Sequence, residues 1–177
     1  EVRRGLFGAL VIEPAAERGA EVDLALVAHT FDGIPTLNAS DRLEPRAVAP
    51  GARVRLRLVN SDNTPRRFSV EGTPFRVVAL DGTDLVGPTA IEDTTVEIAG
   101  GGRADVAFTM PRAPVWVTLT DTDVGLALNA NGRVAPTTEE AAGLMFEESS
   151  APTMSDGRPA LRVITLEADG KPLDADR

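Results

Sequence analysis

The chain has 177 residues, 42% of them hydrophobic, no cysteine and a formal net charge of −9. That length supports one well-buried domain with flanks, and 27 Asp and Glu against 18 Lys and Arg argue against a nucleic-acid backbone or an anionic membrane surface as partner. Without thiols, disulfides and every cysteine-based metal site are excluded, and no apolar run of about 18 residues is present to span a membrane.

Residues 5–14, GLFGALVIEP, are almost wholly apolar up to Ile12 and stop at Glu13 and Pro14. A strand buried on both faces has that composition, and a proline that cannot donate to a ladder ends it. Such a strand needs neighbours, so residues 1–14 are expected to close a preceding domain and to pair outside the core of the next one. Residues 15–20 make a small polar connection. Residues 21–28 resume alternation, with Val22, Leu24, Leu26 and Ala28 on one parity. Residues 32–41 carry Gly, Pro, Asn and Ser at loop density, and Pro50-Gly51 predicts a tight turn.

The cleanest strand signal spans residues 52–60. Val54, Leu56 and Leu58 share one face there and Arg53, Arg55 and Arg57 the other, as a half-buried antiparallel strand requires. Further strands are predicted at 67–70, 75–80, 94–98, 103–109 and 115–120, punctuated by Asp62-Asn63, Asp81-Gly82, Gly87-Pro88 and the three glycines 100–102. Turn signals at this spacing are the signature of an all-β sandwich or barrel. Between residues 121 and 159 the pattern dissolves into small, acidic and Pro-containing sequence, which supports one short helix at 139–146 at best and reads as a linker. Residues 161–167 alternate once more.

Four segments carry a family resemblance. GLFGALVIEP at 5–14 resembles the run that closes the first cupredoxin domain of multicopper oxidases. PGARVRLRLVNS at 50–61, FRVVALDGTDLVGP at 75–88 and GGRADV at 101–106 resemble successive segments of the second domain, in the family's order. The resemblance implies a cupredoxin-like Greek-key β-sandwich. It divides the chain into residues 1–14, the closing strand of a preceding cupredoxin domain; 15–122, the middle domain; and 123–177, an interdomain linker and the start of a following domain. It also implies a laccase-like parent that couples one-electron oxidation of a reduced substrate to reduction of dioxygen to water. In three-domain members the copper ligands lie in the first and third domains, so copper belongs to the parent and this chain binds none. The implied partners are the flanking copper-bearing domains. Export to the cell envelope or beyond follows from the resemblance only, and self-association into a homo-oligomer is left open.

The residues themselves offer little independent chemistry. His29 is the only histidine, and a blue-copper site takes two His and a thiolate while a catalytic zinc takes three protein ligands, so His29 reads as structural. A Ser-His-Asp triad would need His29 and lacks any nucleophile-elbow motif. The acidic pairs Glu92-Asp93, Asp121/Asp123, Glu139-Glu140 and Glu147-Glu148 read mostly as solvated loop acids without EF-hand alternation. The glycines at 100–102 lack the Lys-Ser/Thr and following helix of a phosphate loop and read as a hairpin. Asn38-Ala39-Ser40 matches a glycosylation acceptor, a pattern that recurs by chance. The row of Arg53, Arg55 and Arg57 calls for carboxylates across the sheet, and Glu97 and Asp105 are the expected partners. Catalytic, cofactor-binding and metal-ligating residues are therefore expected to be absent from this chain. The alternative reading is a non-catalytic β-sandwich binding or adhesion module.

Overall fold

The computed structural model describes residues 9–11, 20–92, 94–130, 143–148 and 161–165, the last two stretches as backbone. The described residues up to 130 include the strands β1 (Val22–Phe31), β2 (Ile34–Leu37), β3 (Leu43–Arg46), β4 (Arg53–Asn60), β5 (Arg66–Glu71), β6 (Arg76–Leu80), β7 (Thr83–Asp84), β8 (Thr94–Ile98), β9 (Arg103–Thr109), β10 (Val115–Leu119) and β11 (Gly125–Leu128). Two more come after them, β12 (Gly143–Glu148) and β13 (Leu161–Thr165). A six-stranded sheet has the order β2-β1-β4-β9-β6-β7 and a seven-stranded sheet the order β13-β12-β8-β5-β10-β11-β3. The expected all-β sandwich is the architecture that forms. Among the described residues no helix is long and apolar enough to cross a membrane.

Period-two patterning builds the core. On β4, Val54, Leu56 and Leu58 are 1%, 0% and 0% exposed, while the arginines between them stay half-buried on the outer face. Val106 and Phe108 of β9 join them from the same sheet, and Phe68, Val70, Val96, Val115, Val117 and Leu128 meet them from the other. Each such side chain contributes about 1.5–3 kcal/mol on leaving water.

Several expectations are corrected. Residues 32–41 are not all loop: Asp32 and Gly33, at φ +48° and +84°, make a two-residue turn that returns the chain as β2 against β1. The strand β3, also unforeseen, pairs in parallel with β11. Both β2 and β3 are sheet edges and each contains a proline, Pro35 or Pro45, which masks a strand in the sequence and blunts an open edge. Residues 125–128, expected in a linker, are the buried strand β11 between β10 and β3, so the sandwich continues past residue 122. The short helix expected at 139–146 does not form over its described half, because residues 143–148 are β12, paired with β8 and β13. Residues 139–142 lie outside the described residues.

The glycines at 100–102 are a crossing between sheets and not a hairpin, because β8 pairs with β5 and β9 with β4 and β6. Pro50 and Gly51 do form the expected turn, closed by the Ala52 N–H on the Ala49 carbonyl at 3.1 Å with Gly51 at φ +88°. Of the apolar run at 5–14 only residues 9–11 are described. They are not in a strand, and Leu10 and Val11 are exposed.

Candidate functional site

The C-terminal ends of β1 and β4 lie side by side, because these strands pair in parallel with Ala28 opposite Asn60. The loop from β4 to β5 starts there, and a dense polar cluster results. Asn60, fully buried, organises it: its Nδ2 donates to the carbonyls of Thr64, Ile98 and Ala99 at 2.8, 2.9 and 3.1 Å, two hydrogens serving three acceptors. Its Oδ1 accepts the Asp62 N–H at 3.0 Å. The crossing loop seats on this residue, with the Gly101 N–H on the Asn60 carbonyl and the Asn60 N–H on the Gly102 carbonyl, both 3.0 Å. Gly100 has to be glycine, since a Cβ there would fall 2.7 Å from the Asn63 carbonyl carbon.

Asp62 joins the two strand ends. Its Oδ1 accepts the Thr30 N–H at 2.9 Å, and its Oδ2 accepts the Thr30 hydroxyl at 2.7 Å and the Arg66 Nε at 2.8 Å. Arg66 Nη2 also donates to the Thr30 hydroxyl oxygen. Burial pushes the Asp62 carboxyl up, but the Thr30 hydroxyl, the Arg66 guanidinium and the Thr30 N–H together outweigh it and hold the group below its ordinary value.

His29 is buried at the rim of this cluster. Its Nδ1 lies 3.1 Å from the Ser61 hydroxyl and 3.3 Å from Asp62 Oδ1, and its ring meets Phe31 edge-on with centroids 4.6 Å apart. The Ser61 hydroxyl spends its proton on the Ala28 carbonyl at 2.8 Å, and a carboxylate only accepts, so Nδ1 is the ring nitrogen assigned a hydrogen. Ser61, His29 and Asp62 therefore do not form a nucleophilic triad: serine and aspartate face the same ring nitrogen, and the hydroxyl proton points at the main chain.

The arginine row meets its acids. Arg55 donates from Nε and Nη2 to Asp105 Oδ2 at 2.8 and 2.6 Å, and Arg57 reaches the same oxygen from Nη1 at 3.3 Å. Arg57 also makes a two-pronged contact with Asp23, Nε to Oδ1 at 2.8 Å and Nη2 to Oδ2 at 2.7 Å. Arg53 is tied through its main-chain N–H to Glu21 at 2.9 Å. Asp105 is the expected partner. Glu97 is not: it lies on β8 in the other sheet and takes Arg67 at 3.0 Å. Asp23 carries no signal of this role in the sequence, because only strand order places β1 beside β4.

The remaining candidates disperse. Among the described residues no group of three or more His, Cys, Asp or Glu side chains converges as a metal site. Asp121 sits in the turn after β10 at φ +63°. Asp93, Glu139 and Glu140 are outside the described residues. Asn38, at φ +51°, accepts the Val27 N–H on its Oδ1 at 2.8 Å and donates its Nδ2 to the Ala25 carbonyl at 2.9 Å, so its carboxamide stands in for a strand residue beside β1. With one imidazole and no thiolate in the sequence, and that imidazole turned to Ser61 and Asp62, the residues here do not fit a copper centre.

The family profile described as Multicopper oxidase matches residues 11–135. The chain belongs to the multicopper oxidase family. A comparison with curated sequences finds no match. Among solved structures, the laccase from Botrytis aclada superposes with a TM-score of 0.62 at 18% identity, over 78% of this chain and 34% of that one. The Blue Copper Oxidase from Nitrosomonas europaea gives 0.55 at 18% identity, over 66% of this chain and 46% of that one. The multicopper oxidase McoA from the hyperthermophile Aquifex aeolicus gives 0.51 at 15% identity, over 68% and 32%. At these identities the structural likeness speaks for the fold, a cupredoxin-like β-sandwich. This multicopper oxidase chain spans less than half the length of each of the three.

Proposed function

We propose that this chain is the ligand-free structural middle domain of a three-domain, laccase-like multicopper oxidase, where it spaces two copper-bearing domains. The carrying observation is a family sandwich whose sequence holds one histidine, which is buried, and no cysteine, where a blue-copper site takes two imidazoles and a thiolate. The parent couples one-electron oxidation of a reduced substrate to reduction of dioxygen to water, with copper held by the flanking domains. This chain alone is inactive and contributes a rigid two-sheet body. The family likeness also supports an exported enzyme, and residues 1–14 are assigned as the joint to the preceding domain.

The test uses the complete polypeptide that contains this segment. Sequence before it should carry paired His-x-His motifs and sequence after it a Cys-His strand. The purified whole should consume dioxygen with a reducing dye and hold the same copper per chain when His29 is replaced by Ala. Absence of both flanking motifs overturns the proposal, as does loss of copper in the His29→Ala protein.

A further inference from the structure

Of the four Asp-Gly steps in the sequence, the two that lie among the described residues adopt the same turn and differ in the contacts that hold them. Asp32-Gly33 closes β1 to β2, and Asp81-Gly82 closes β6 to β7. Both pairs have positive φ throughout, +48° and +84° in the first and +45° and +84° in the second, as a mirror-image type I turn requires. At the second turn the Asp81 N–H donates to the Arg103 carbonyl and Asp81 Oδ1 accepts the Arg103 N–H, both at 2.9 Å, while Arg103 Nη2 donates to the Asp81 carbonyl at 2.7 Å. A Cβ on Gly82 would lie 2.9 Å from that guanidinium. At the first turn the Asp32 carboxylate has no hydrogen bond or ion pair among the described residues, and nothing lies within 4 Å of where a Gly33 Cβ would be.

We propose that Asp32-Gly33 is a site of spontaneous isoaspartate formation in the folded protein and that Arg103 protects Asp81-Gly82 from the same reaction. The Gly33 nitrogen bonds to Asp32 Cγ, and its proton leaves with the carboxyl hydroxyl as water, giving a five-membered succinimide. Water then adds back. Cleavage of the Cγ–N bond restores aspartate, and cleavage of the bond from N to the main-chain carbonyl carbon leaves the chain running through Cγ, with unchanged mass.

Ring closure needs the glycine nitrogen to reach the aspartate Cγ, a rearrangement that a two-residue turn clamped between paired strands resists, so the tip has to open first. Opening at Asp32 disturbs the end of an edge strand, whereas opening at Asp81 must also break three bonds to Arg103. The product carries an extra methylene in a two-residue loop, which no longer matches the Phe31 to Ile34 register and loosens β2 from β1.

The experiment is prolonged incubation of the folded chain at neutral pH and 37 °C, with a parallel sample in denaturing urea. Tryptic mapping then reads the product, since cleavage after Arg42 and Arg76 puts the two sites on different peptides. The folded sample should show about tenfold more isoaspartate at residue 32 than at 81, a ratio set by the extra hydrogen bonds, and the urea sample near-equal amounts. Equal conversion at both sites in the folded sample, more at 81 than at 32, or conversion confined to urea would each overturn the proposal.

Discussion

Asp105 lies directly across the sheet from Arg57, and its Oδ2 atom receives both Arg57 and the neighbouring Arg55. One carboxylate thus neutralises two guanidiniums on the same face of one strand, with its own side chain only 11% exposed. Replacing it leaves two half-buried cations without that counter-charge. Asp105→Ala should therefore cost about 2–3 kcal/mol, near the low end for a broken buried pair. Arg67→Ala, which removes an ion pair exposed on both sides, should cost at most about 1 kcal/mol. Urea denaturation of the two variants checks the contrast, and similar losses would mean that the outer face of β4 is no more buried than that of β5.

Leu56 and Arg55 are adjacent in sequence and lie on opposite faces of β4. Leu56→Asp puts a charge into a position that is 0% exposed and should abolish folding. On sequence grounds Arg55→Asp is expected to be tolerated to within about 1 kcal/mol if the arginine is merely exposed. Because Arg55 is paired, the new carboxylate would face Asp105 and Asp84, and the loss should exceed that of Arg55→Ala. Thermal melts of the three variants decide it; an Arg55→Asp variant as stable as Arg55→Ala would contradict the geometry.

Asn60 and Gly100 are two halves of one seat. Asn60→Ala leaves the carbonyls of Thr64, Ile98 and Ala99 and the Asp62 N–H short of a partner, and should destabilise by about 2–4 kcal/mol. Gly100→Ala drives a methyl into the Asn63 main chain and should cost about 1–3 kcal/mol. If both losses come from the same loop contact, the double variant will lose less than the sum, and strict additivity would refute the coupling.

Asp62 makes stability depend on pH in a definite direction. Its folded-state pKa lies below the ordinary 3.8, so the unfolded chain binds the proton more readily than the folded one. The stabilisation is present above the unfolded value and is lost as pH falls through the folded one. Asp62→Asn should lower stability at neutral pH and flatten the acid loss below about pH 4. Denaturation curves from neutral to pH 3 measure this, and an unchanged acid slope in the variant would rule Asp62 out as the source.

Part of the architecture is legible in the residues. The alternation on 53–60 sets both faces of β4, and the strands predicted at 94–98 and 103–109 have the limits of β8 and β9, because a half-buried strand writes its period into consecutive side chains. An inventory of one histidine and no cysteine likewise bounds the metal chemistry by composition alone. Short edge strands carry weaker signals. IPTL and LEPR each contain a proline, and the four-residue GLAL has too little length for a period, so β2, β3 and β11 emerge only from pairing.

Partnership is decided by tertiary structure. Asp105 and Glu97 are equivalent in the sequence as acids for the arginine row, and strand order puts one beside Arg57 and the other in the opposite sheet beside Arg67. Asp23 reaches Arg57 because β1 runs parallel to β4, and Asp62 reaches Thr30 because those strands end together. A side chain's face is a local property of its own strand. The carboxylate it meets depends on which distant strand lies alongside, and burial of the whole core settles that order.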